Sequence, residues 1–261
     1  MVCRIPVQGH TLSYTIIRKS IWSPVLIFLH EGLGCIEKWK DFPSTLCKAT
    51  GLTGLVYDRY GYGHSEELQE PRQPDFLEKE AFEVLPELLE KLNIKQPLIL
   101  IGHSDGGSIA LLYASRFPER VNALILEAPH VKLEEVSAQG LKAAIWAYLH
   151  GDLKERLQKY HGEKADSMFW GWADIWTDER SREWNIESCL PYIKAPVLFL
   201  QGRLDEYGTE EQMWAISKKI KAPFEAEIIS DCGHVPHQQA EEFVLERMVE
   251  FIGRVILATG R

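Results

Sequence analysis

Four short apolar runs recur along the chain, and polar residues do not alternate with apolar ones inside them. They comprise residues 25–29, 98–101, 123–126 and 197–200. A strand with one wet face alternates apolar and polar residues, whereas a strand covered on both faces is apolar throughout. The runs therefore predict central parallel strands, and a shorter run at 55–57 predicts another strand that ends at Asp58.

Helical patterns separate the predicted strands. Residues 76–92 place apolar side chains near one face, although Pro86 is expected to kink that helix. Further helices are predicted at 104–116 and, from the apolar positions between Phe243 and Val255, near the C-terminus. Strands that alternate with helices indicate an α/β fold, in which a mostly parallel sheet has helices on both faces.

Two parts of the chain depart from this alternation. Near the N-terminus, segments at about 3–8 and 11–17 joined by Gly9-His10 predict an antiparallel hairpin at the sheet edge. The interval 131–190 lacks an obvious buried strand and is rich in charge, yet it is also rich in tryptophan. We interpret this interval as a small helical lid inserted between two strands.

Length and charge narrow the possible classes of protein. The 261 residues fit one α/β domain over 1–261, with the insertion at about 131–190. A formal net charge of −9 offers no basic surface for nucleic acid or for an anionic membrane. No stretch approaches the ~20 apolar residues that a membrane helix needs, so no membrane span is expected.

The cysteines and the N-terminal residues bear on the compartment. Five cysteines without regular spacing do not predict a disulfide framework. The first residues lack the apolar run of a secretory signal, so we expect a cytoplasmic protein, either a monomer or a homodimer.

The motif with the clearest chemistry is Gly-His-Ser-Asp-Gly at 102–106, which follows a predicted buried strand and precedes a predicted helix. A nucleophile elbow requires this context, because its serine stands on a tight turn whose neighbours must be small. Ser104 would lie at a helix N-terminus, where the helix dipole favours developing negative charge. A serine N-cap in a glycine-rich loop is the alternative. His103 is expected to be a packing residue that points away from the serine.

With this motif the sequence resembles the α/β-hydrolase superfamily over essentially its whole length, in the branch with a serine nucleophile and carboxylesterase-like members. His30-Glu31-Gly32 after one predicted central strand agrees with the family pattern, as does the segment 58–65 after the next. The resemblance implies a mostly parallel eight-stranded sheet with a helical lid inserted after strand six. It also implies a catalytic triad in the chain order serine, acid, histidine.

A serine hydroxyl needs a general base, and nine histidines compete for that role. His234 follows a strand-like segment at 226–229, Gly233 permits a close approach, and the resemblance places the base in such a loop. His237 is the rival, although its position predicts that it caps or starts the final helix. A metal site at this loop is not expected, because the sequence lacks a second ligand cluster with zinc spacing.

The acid that orients the imidazole is assigned to Asp205. It follows the apolar run 197–200 and so falls at the carboxyl edge of the sheet, where open parallel sheets form their sites. The family spacing after Gly202 also favours this residue. Glu206, directly adjacent, and Glu127, at the end of another predicted strand, remain competitors.

A tetrahedral intermediate needs two donors aimed at its oxyanion. The backbone N–H of Asp105 is the first candidate, because Asp105 follows the expected nucleophile. By resemblance, the second is the N–H of Gly32, two positions after His30, in a loop where relatives commonly carry glycine in place of Glu31. The segment 58–65 is expected to brace these loops through its arginine and glycines.

These residues predict a serine hydrolase that cleaves an ester-like bond of a small-molecule acyl substrate through an acyl-enzyme. Ser104 would attack the carbonyl, His234 would take and return the proton, and Asp205 would steady the imidazolium. No metal or organic cofactor is required. A serine at 104 argues against haloalkane dehalogenases and epoxide hydrolases, which alkylate a carboxylate.

Carboxylesterase activity is the first expectation, because ester hydrolysis demands least beyond the triad. Carbon–carbon bond hydrolase, lactonase and perhydrolase activities would use the same triad and stay open. Whether the tryptophans of the insertion line an acyl pocket also stays open. From a different class, a ligand receptor on the hydrolase scaffold is the alternative.

Overall fold

The computed structural model describes residues 2–19 and 24–259 and contains one eight-stranded sheet. The strands are β1 (Cys3–Val7), β2 (His10–Ile17), β3 (Val25–Leu29), β4 (Thr53–Asp58), β5 (Leu98–His103), β6 (Val121–Glu127), β7 (Val197–Gly202) and β8 (Phe224–Ile229). Their order across the sheet is β1-β2-β4-β3-β5-β6-β7-β8. β2 is antiparallel to both of its neighbours, and all strands from β3 to β8 are parallel. The mostly parallel sheet expected from the sequence is confirmed.

A tight hairpin joins the two edge strands. Its turn consists of Gln8 and Gly9, whose φ angles are 51° and 81°, and His10 already pairs with Val7 as the first residue of β2. Positive φ at both central positions gives the twist that suits antiparallel strands. The sequence-based placement of the turn at Gly9-His10 is therefore wrong by one residue.

Helices fill the connections between the parallel strands. They are α1 (Phe42–Thr50), α2 (Phe76–Lys79), α3 (Leu85–Lys91), α4 (Asp105–Arg116), α5 (Glu135–His150), α6 (Leu153–His161), α7 (Ala165–Thr177), α8 (Glu210–Lys219), α9 (Pro236–Gln239) and α10 (Glu241–Thr259). Short 3-10 turns complete the connections at Glu37–Trp39, Pro118–Arg120, Gly162–Lys164, Glu179–Ser181 and Glu187–Tyr192.

The helix expected at 76–92 changes its winding in the middle. A π-helical segment, Glu80–Val84, lies between α2 and α3 and ends just before Pro86. Proline has no N–H to donate to the preceding turn, and its ring crowds the carbonyl four residues earlier. The wider turn accommodates this defect, while Leu85 and Leu88 stay fully buried.

Alternate residues of the central strands pack into two different apolar layers. In β5, Leu98 and Leu100 belong to the layer that includes α3 and α4, whereas Ile99 and Ile101 belong to the layer that includes α1 and α10. All four side chains are fully buried. Both faces of the strand are therefore dry, which explains why its sequence has no polar alternation.

Helices α5 to α7 form an insertion between β6 and β7, at the position predicted for a lid. A third apolar cluster holds these helices together and joins them to the loop after β4 through Tyr62. Within this cluster the rings of Tyr148 and Phe169 stack with centroids 3.7 Å apart. An isolated β-bridge between Lys132 and Asn185 connects the two ends of the insertion.

Two further properties of the chain concern membranes and thiols. Among residues 2–19 and 24–259, no helix combines the length and the apolar character needed to cross a bilayer. All five cysteines are free, and Cys35 and Cys47 are buried. Burial raises the pKa of both thiols to about 12, so they stay protonated at neutral pH and are not candidate nucleophiles.

Candidate active site

Ser104 occupies a strained turn between β5 and α4. Its φ of 53° and ψ of −118° lie outside the regions that residues with a side chain usually adopt. The turn is possible because glycines surround it: a Cβ at Gly102 would overlap the backbone of Gly106, and a Cβ at Gly106 would overlap that of Leu29. The N–H of Ser104 donates to the carbonyl oxygen of Glu127 at 2.9 Å. These are the features expected of a nucleophile elbow.

The side chains of His234 and Asp205 are hydrogen-bonded to each other. Oδ1 of Asp205 lies 2.8 Å from Nδ1 of His234, and both side chains are almost entirely buried. The same oxygen accepts the backbone N–H groups of Tyr207 (2.8 Å) and Gly208 (3.2 Å). Oδ2 accepts the side-chain amide of Gln201 at 3.3 Å. Asp205 is thus held in one orientation toward the imidazole.

The imidazole of His234 lies close to the elbow. Nε2 of His103, the residue before Ser104, donates to the carbonyl oxygen of His234 at 2.7 Å, and the two rings are 5.1 Å apart. The rings of Tyr207 and His130 lie 4.7 and 5.8 Å from that of His234. Tyr207, His130 and Ser104 line one cavity. His103 therefore does more than pack, because it anchors the loop that carries His234.

Charges around the pair favour a basic histidine. Burial lowers the pKa of His234, but the hydrogen bond and the charge of Asp205 outweigh it, so the pKa lies above its usual value. Burial raises the pKa of Asp205, yet the hydrogen bond from His234 and its charge bring that pKa below the usual range. Asp205 is therefore ionised at neutral pH and favours the Nδ1–H tautomer, which leaves Nε2 of His234 as the basic nitrogen.

Glu127 and His237, which the sequence offered as rivals of Asp205 and His234, are paired with each other. Oε2 of Glu127 lies 2.6 Å from Nδ1 of His237, and both side chains are buried. His237 belongs to the short helix α9, so the prediction that it caps or starts the final helix is wrong, because that helix, α10, begins at Glu241. Glu206 is exposed, and within the described ranges no hydrogen bond joins its carboxylate to His234. This arrangement favours Asp205 as the partner of His234.

The two expected oxyanion donors are backbone N–H groups that have no acceptor among the described residues. The N–H groups of Gly32 and Asp105 make no hydrogen bond to any residue that the structure describes. Asp105 begins α4, so its N–H has no acceptor within the helix. Arg59 connects the two loops, because its Nη2 donates to the carbonyl oxygen of Glu31 at 2.8 Å and lies 3.5 Å from the carboxylate of Asp105. This is the bracing contact expected of the segment 58–65.

Glu31 stands where relatives commonly carry glycine, and its side chain forms an ion pair. Oε1 lies 2.7 Å from Nζ of Lys38, and Oε2 lies 3.9 Å from Nδ1 of His103. Although burial raises the pKa of Glu31, the charge of Lys38 and its hydrogen bond to the carboxylate hold that pKa below the usual range. The carboxylate is therefore ionised but compensated by Lys38, which limits its repulsion of an oxyanion formed in the same loop.

A cavity with about 540 Å³ of empty space, part of it open to solvent, adjoins Ser104 and Asp105. Its other lining residues come from the insertion and from the loops after β6 and β7, namely His130, Leu133, Glu134, Ser137, Ala138, Leu141, Trp172, Trp176 and Tyr207. Two tryptophans of the insertion thus line the cavity, whereas Trp146 is 63% exposed on the outer surface. The indole of Trp172 also covers Gly32, where a Cβ would overlap it.

Several histidines lie near the site without forming a metal centre. In the part of the chain that the structure describes, no group of three or more His, Cys, Asp or Glu side chains is arranged to hold a metal ion. Burial and the neighbouring His234 lower the pKa of both His103 and His130 to about 4. These two rings are therefore neutral at physiological pH and act as hydrogen-bonding groups.

Sequence reasoning missed three residues that hold or adjoin the pair. Gln201 donates its side-chain amide to Asp205 and, at 2.8 Å, to the carbonyl oxygen of Gly208. A signal for it was available, since Gln201 is a polar residue near the end of an otherwise apolar strand. His130 and Tyr207 have no such local signal, because only the fold brings their loops beside His234.

Comparisons with known proteins agree with this architecture. A family model described as the alpha/beta hydrolase fold matches residues 24–182. The Cis-3-alkyl-4-alkyloxetan-2-one decarboxylase of Shewanella oneidensis is 25% identical over 234 residues, which cover 76% of this chain and 73% of that protein. The sn-1-specific diacylglycerol lipase ABHD11 of Mus musculus is 30% identical over 115 residues, 44% of this chain but only 36% of the lipase. Among solved structures, a bacterial membrane phospholipase A has a TM-score of 0.80 at 22% identity, with 98% of this chain and 86% of that chain covered.

Proposed function

Because the chain belongs to the α/β-hydrolase fold family, we propose that it is a serine hydrolase that uses Ser104, His234 and Asp205 to cleave an ester-like acyl bond. The hydrogen bond of 2.8 Å between His234 and Asp205, close to the elbow at Ser104, is the observation that supports this most directly. The strained turn of Ser104 is next to this pair in the fold, because His103, the residue before Ser104, is hydrogen-bonded to the carbonyl oxygen of His234. This is the arrangement that nucleophilic acyl transfer needs.

The backbone of Ser104 supports the nucleophile over an ordinary helix cap. A serine that caps a helix accepts a backbone N–H with its side chain and adopts an extended conformation. Ser104 makes no such capping bond to α4, and its φ of 53° lies in the left-handed half of the map. Strain of this kind costs about 1–3 kcal/mol and persists where the surrounding structure enforces it. Such a cost is reasonable for presenting an oxygen to a substrate.

In the proposed reaction, Oγ of Ser104 attacks the carbonyl carbon of the acyl substrate while Nε2 of His234 takes the proton. Asp205 keeps Nδ1–H of His234 in place and stabilises the imidazolium. The N–H groups of Gly32 and Asp105 stabilise the oxyanion of the tetrahedral intermediate. His234 then returns the proton to the leaving group, and the same imidazole activates a water molecule that hydrolyses the acyl-enzyme.

We assign the substrate to uncharged carboxylic esters with small apolar acyl groups, under a lid formed by the insertion. The insertion contributes apolar side chains such as Leu141 and Trp172 to the cavity, and such a lining suits an apolar acyl group. Among the described residues, no lysine or arginine lines this cavity, so it offers no cation to pair with an anionic substrate. One of the similar proteins, 30% identical over 44% of this chain, is named as a lipase, which supports the ester class.

Labelling with a fluorophosphonate tests the nucleophile without knowledge of the natural substrate. We expect mass spectrometry to find the label on Ser104 in the wild type and none in Ser104→Ala. The matched control is Ser115→Ala near the end of α4, whose Oγ donates to the carbonyl oxygen of Leu112 at 2.7 Å and is not among the residues that line the cavity. This control should label normally, and a label that persists in Ser104→Ala would contradict the proposal.

Hydrolysis of p-nitrophenyl butyrate separates an enzyme from a receptor on the same scaffold. The wild type and Ser115→Ala should release p-nitrophenol at similar rates, whereas Ser104→Ala should fall to the background rate because it has no nucleophile. A receptor would bind the ester without turnover. Equal rates for the wild type and Ser104→Ala would therefore refute the catalytic role.

A further inference from the structure

The cavity beside Ser104 has two chemically different sides. Its apolar side consists of Leu133, Ala138, Leu141, Trp172 and Trp176. Its other side carries His130 and Tyr207, whose rings lie 5.8 and 4.7 Å from that of His234. The reaction proposed above uses neither His130 nor Tyr207, so their position beside the expected base requires its own explanation.

His130 and Tyr207 carry polar atoms that the protein itself leaves unused. Nδ1 of His130 is buried and has no hydrogen-bond partner among the residues described. Within the same residues the hydroxyl of Tyr207 has no partner either, although its backbone N–H and carbonyl are both bonded. Buried polar groups in native proteins are nearly always satisfied, so the unpaired Nδ1 of His130 points to a ligand or to water. The hydroxyl of Tyr207 is not sealed from solvent in this way, and it is available to a ligand in the cavity.

Neither of these two groups carries a charge at neutral pH. Burial and the neighbouring His234 lower the pKa of His130 to about 4, whereas burial and nearby carboxylates raise the pKa of Tyr207 to about 12. A neutral imidazole and a phenol both donate and accept hydrogen bonds. Because both groups are neutral and no lysine or arginine of the described residues lines the cavity, the chemistry suits an uncharged group that can do the same, namely a hydroxyl.

The direction of proton transfer decides which part of the substrate lies there. His234 must return its proton to the oxygen of the leaving alcohol, so that oxygen has to approach the imidazole. Side chains next to His234 therefore adjoin the alcohol, and the apolar side of the cavity is left for the acyl group. A hydroxyl that reaches His130 or Tyr207 is then a second hydroxyl on the leaving alcohol.

We propose that His130 and Tyr207 form a binding subsite for a second hydroxyl group on the leaving alcohol. Preferred substrates are then esters of diols or polyols rather than of simple alkanols, an inference that rests on the proposed function. The subsite is held from both sides. The side-chain hydroxyl of Ser108 donates to the carbonyl oxygen of His130 at 2.6 Å, and the ring of Tyr207 packs so closely on Gly140 of α5 that a Cβ there would lie 2.8 Å from it.

A pair of esters with matched leaving groups tests the subsite. 2-Hydroxyethyl butyrate and propyl butyrate share the acyl group, and their leaving groups differ only by a hydroxyl in place of a methyl. We expect the wild type to show a kcat/KM about 3- to 10-fold higher for the hydroxyethyl ester, the effect of one net hydrogen bond. The ratio should fall to near one in His130→Phe, fall in Tyr207→Phe, and be partly kept in His130→Gln, which can still donate and accept.

A control variant separates the subsite from general damage to the cavity. Leu133→Ala, on the apolar side, should change both rates by the same factor and keep their ratio. A wild-type ratio of one, or a ratio unchanged in both His130→Phe and Tyr207→Phe, would overturn the subsite and leave the proposed function intact, because both esters would still be hydrolysed. Failure of ester hydrolysis together with failure of fluorophosphonate labelling would refute the proposed function and this inference with it.

Discussion

Glu127 and His237 form a buried pair in which Oε2 of the carboxylate lies 2.6 Å from Nδ1 of the imidazole and 3.3 Å from the backbone nitrogen of the same residue. The imidazole also packs on the indole of Trp39, with ring centroids 4.5 Å apart. Glu127 ends β6, and His237 follows His234 by three residues. The pair therefore ties the segment that carries His234 to a central strand of the sheet, and we expect its role to be structural.

Exchange of each carboxylate for its amide tests which acid serves the reaction. Asp205→Asn should reduce kcat by a factor on the order of 10⁴, because the histidine loses its tautomer and its charge partner. Glu127→Gln should leave kcat within about tenfold but lower the free energy of unfolding by about 1–3 kcal/mol, since a buried hydrogen bond to a charged group is weakened. Ester hydrolysis and denaturant unfolding measure the two effects. A larger loss of kcat in Glu127→Gln than in Asp205→Asn would make Glu127 the acid of the reaction and Asp205 the structural one.

The pH dependence of hydrolysis reports the state of His234. Only the neutral imidazole accepts a proton, so kcat/KM should rise with pH through the pKa of His234. Asp205 holds this pKa above the usual value of about 6.5, which places the midpoint of the rise at higher pH. In Asp205→Asn the supporting charge is gone, and the midpoint should move to lower pH. An unchanged midpoint between pH 5 and 9 would mean that another group limits the rate.

Removal of the donor on His103 should displace His234 without removing any reacting group. His103→Phe loses the hydrogen bond of 2.7 Å to the carbonyl oxygen of His234. We expect kcat to fall by up to about 100-fold with little change in KM, because misplacement of the base acts on the chemical step. His103→Gln keeps a side-chain donor and should recover part of the rate. Equal losses in the two variants would indicate a role in packing alone.

Gly32→Ala tests the contact between the oxyanion loop and the insertion. The added Cβ would overlap the indole of Trp172, so we expect a lower Tm and a loss of activity, with about 1–3 kcal/mol of destabilisation from overpacking. The control Gly253→Ala lies in open space on α10 and should raise the Tm slightly, since alanine favours helix. In a Trp172→Ala background, Gly32→Ala should cost little further stability, because the indole that the Cβ would overlap is gone. The same further loss in both backgrounds would show that the substitution disturbs the backbone of Gly32 itself.

Buried neutral histidines should make the protein sensitive to acid. The pKa values of His103, His130 and His161 lie at about 4, below the usual value of about 6.5. Between these limits the unfolded state binds more protons at these sites, so stability falls as the pH falls. Asp58, whose pKa burial raises to about 6, acts in the opposite sense because the native state binds that proton first. We expect the Tm to drop from pH 6.5 to 4.5, because these histidines, together with buried His30, whose pKa is also lowered, outnumber Asp58.

His161→Gln provides the matching variant for this acid sensitivity. His161 lies outside the expected catalytic groups, and its ring joins the N–H of Gly63 (3.0 Å) to the carbonyl oxygen of Leu33 (3.2 Å). Glutamine does not titrate in this range, so the variant should show a shallower fall of Tm with pH. The same slope in both proteins would exclude His161 as one of the groups responsible.

The amino-acid pattern was sufficient for the fold class and for the elbow, because both depend on local rules. Short, leucine-rich and β-branched apolar runs without alternation favour strands with two dry faces, and the two layers around Ile99 and Leu100 confirm this. Gly102, Ser104 and Gly106 lie within five residues, so one turn brings them together whatever the rest of the chain does. The hairpin turn and the π segment before Pro86 were placed less well, since small shifts in hydrogen bonding leave little trace in the sequence.

The pairing of acids with bases was decided by the tertiary structure alone. Asp205 and Glu127 both come at or just after the end of an apolar strand, and His234 and His237 lie three residues apart in one segment, so no local rule assigns one partner to the other. The order of β6 and β7 in the sheet, together with the course of the chain into α9, sets which imidazole meets which carboxylate. These contacts join residues that are far apart in the chain, and only the packing of the whole sheet brings such residues within hydrogen-bonding distance.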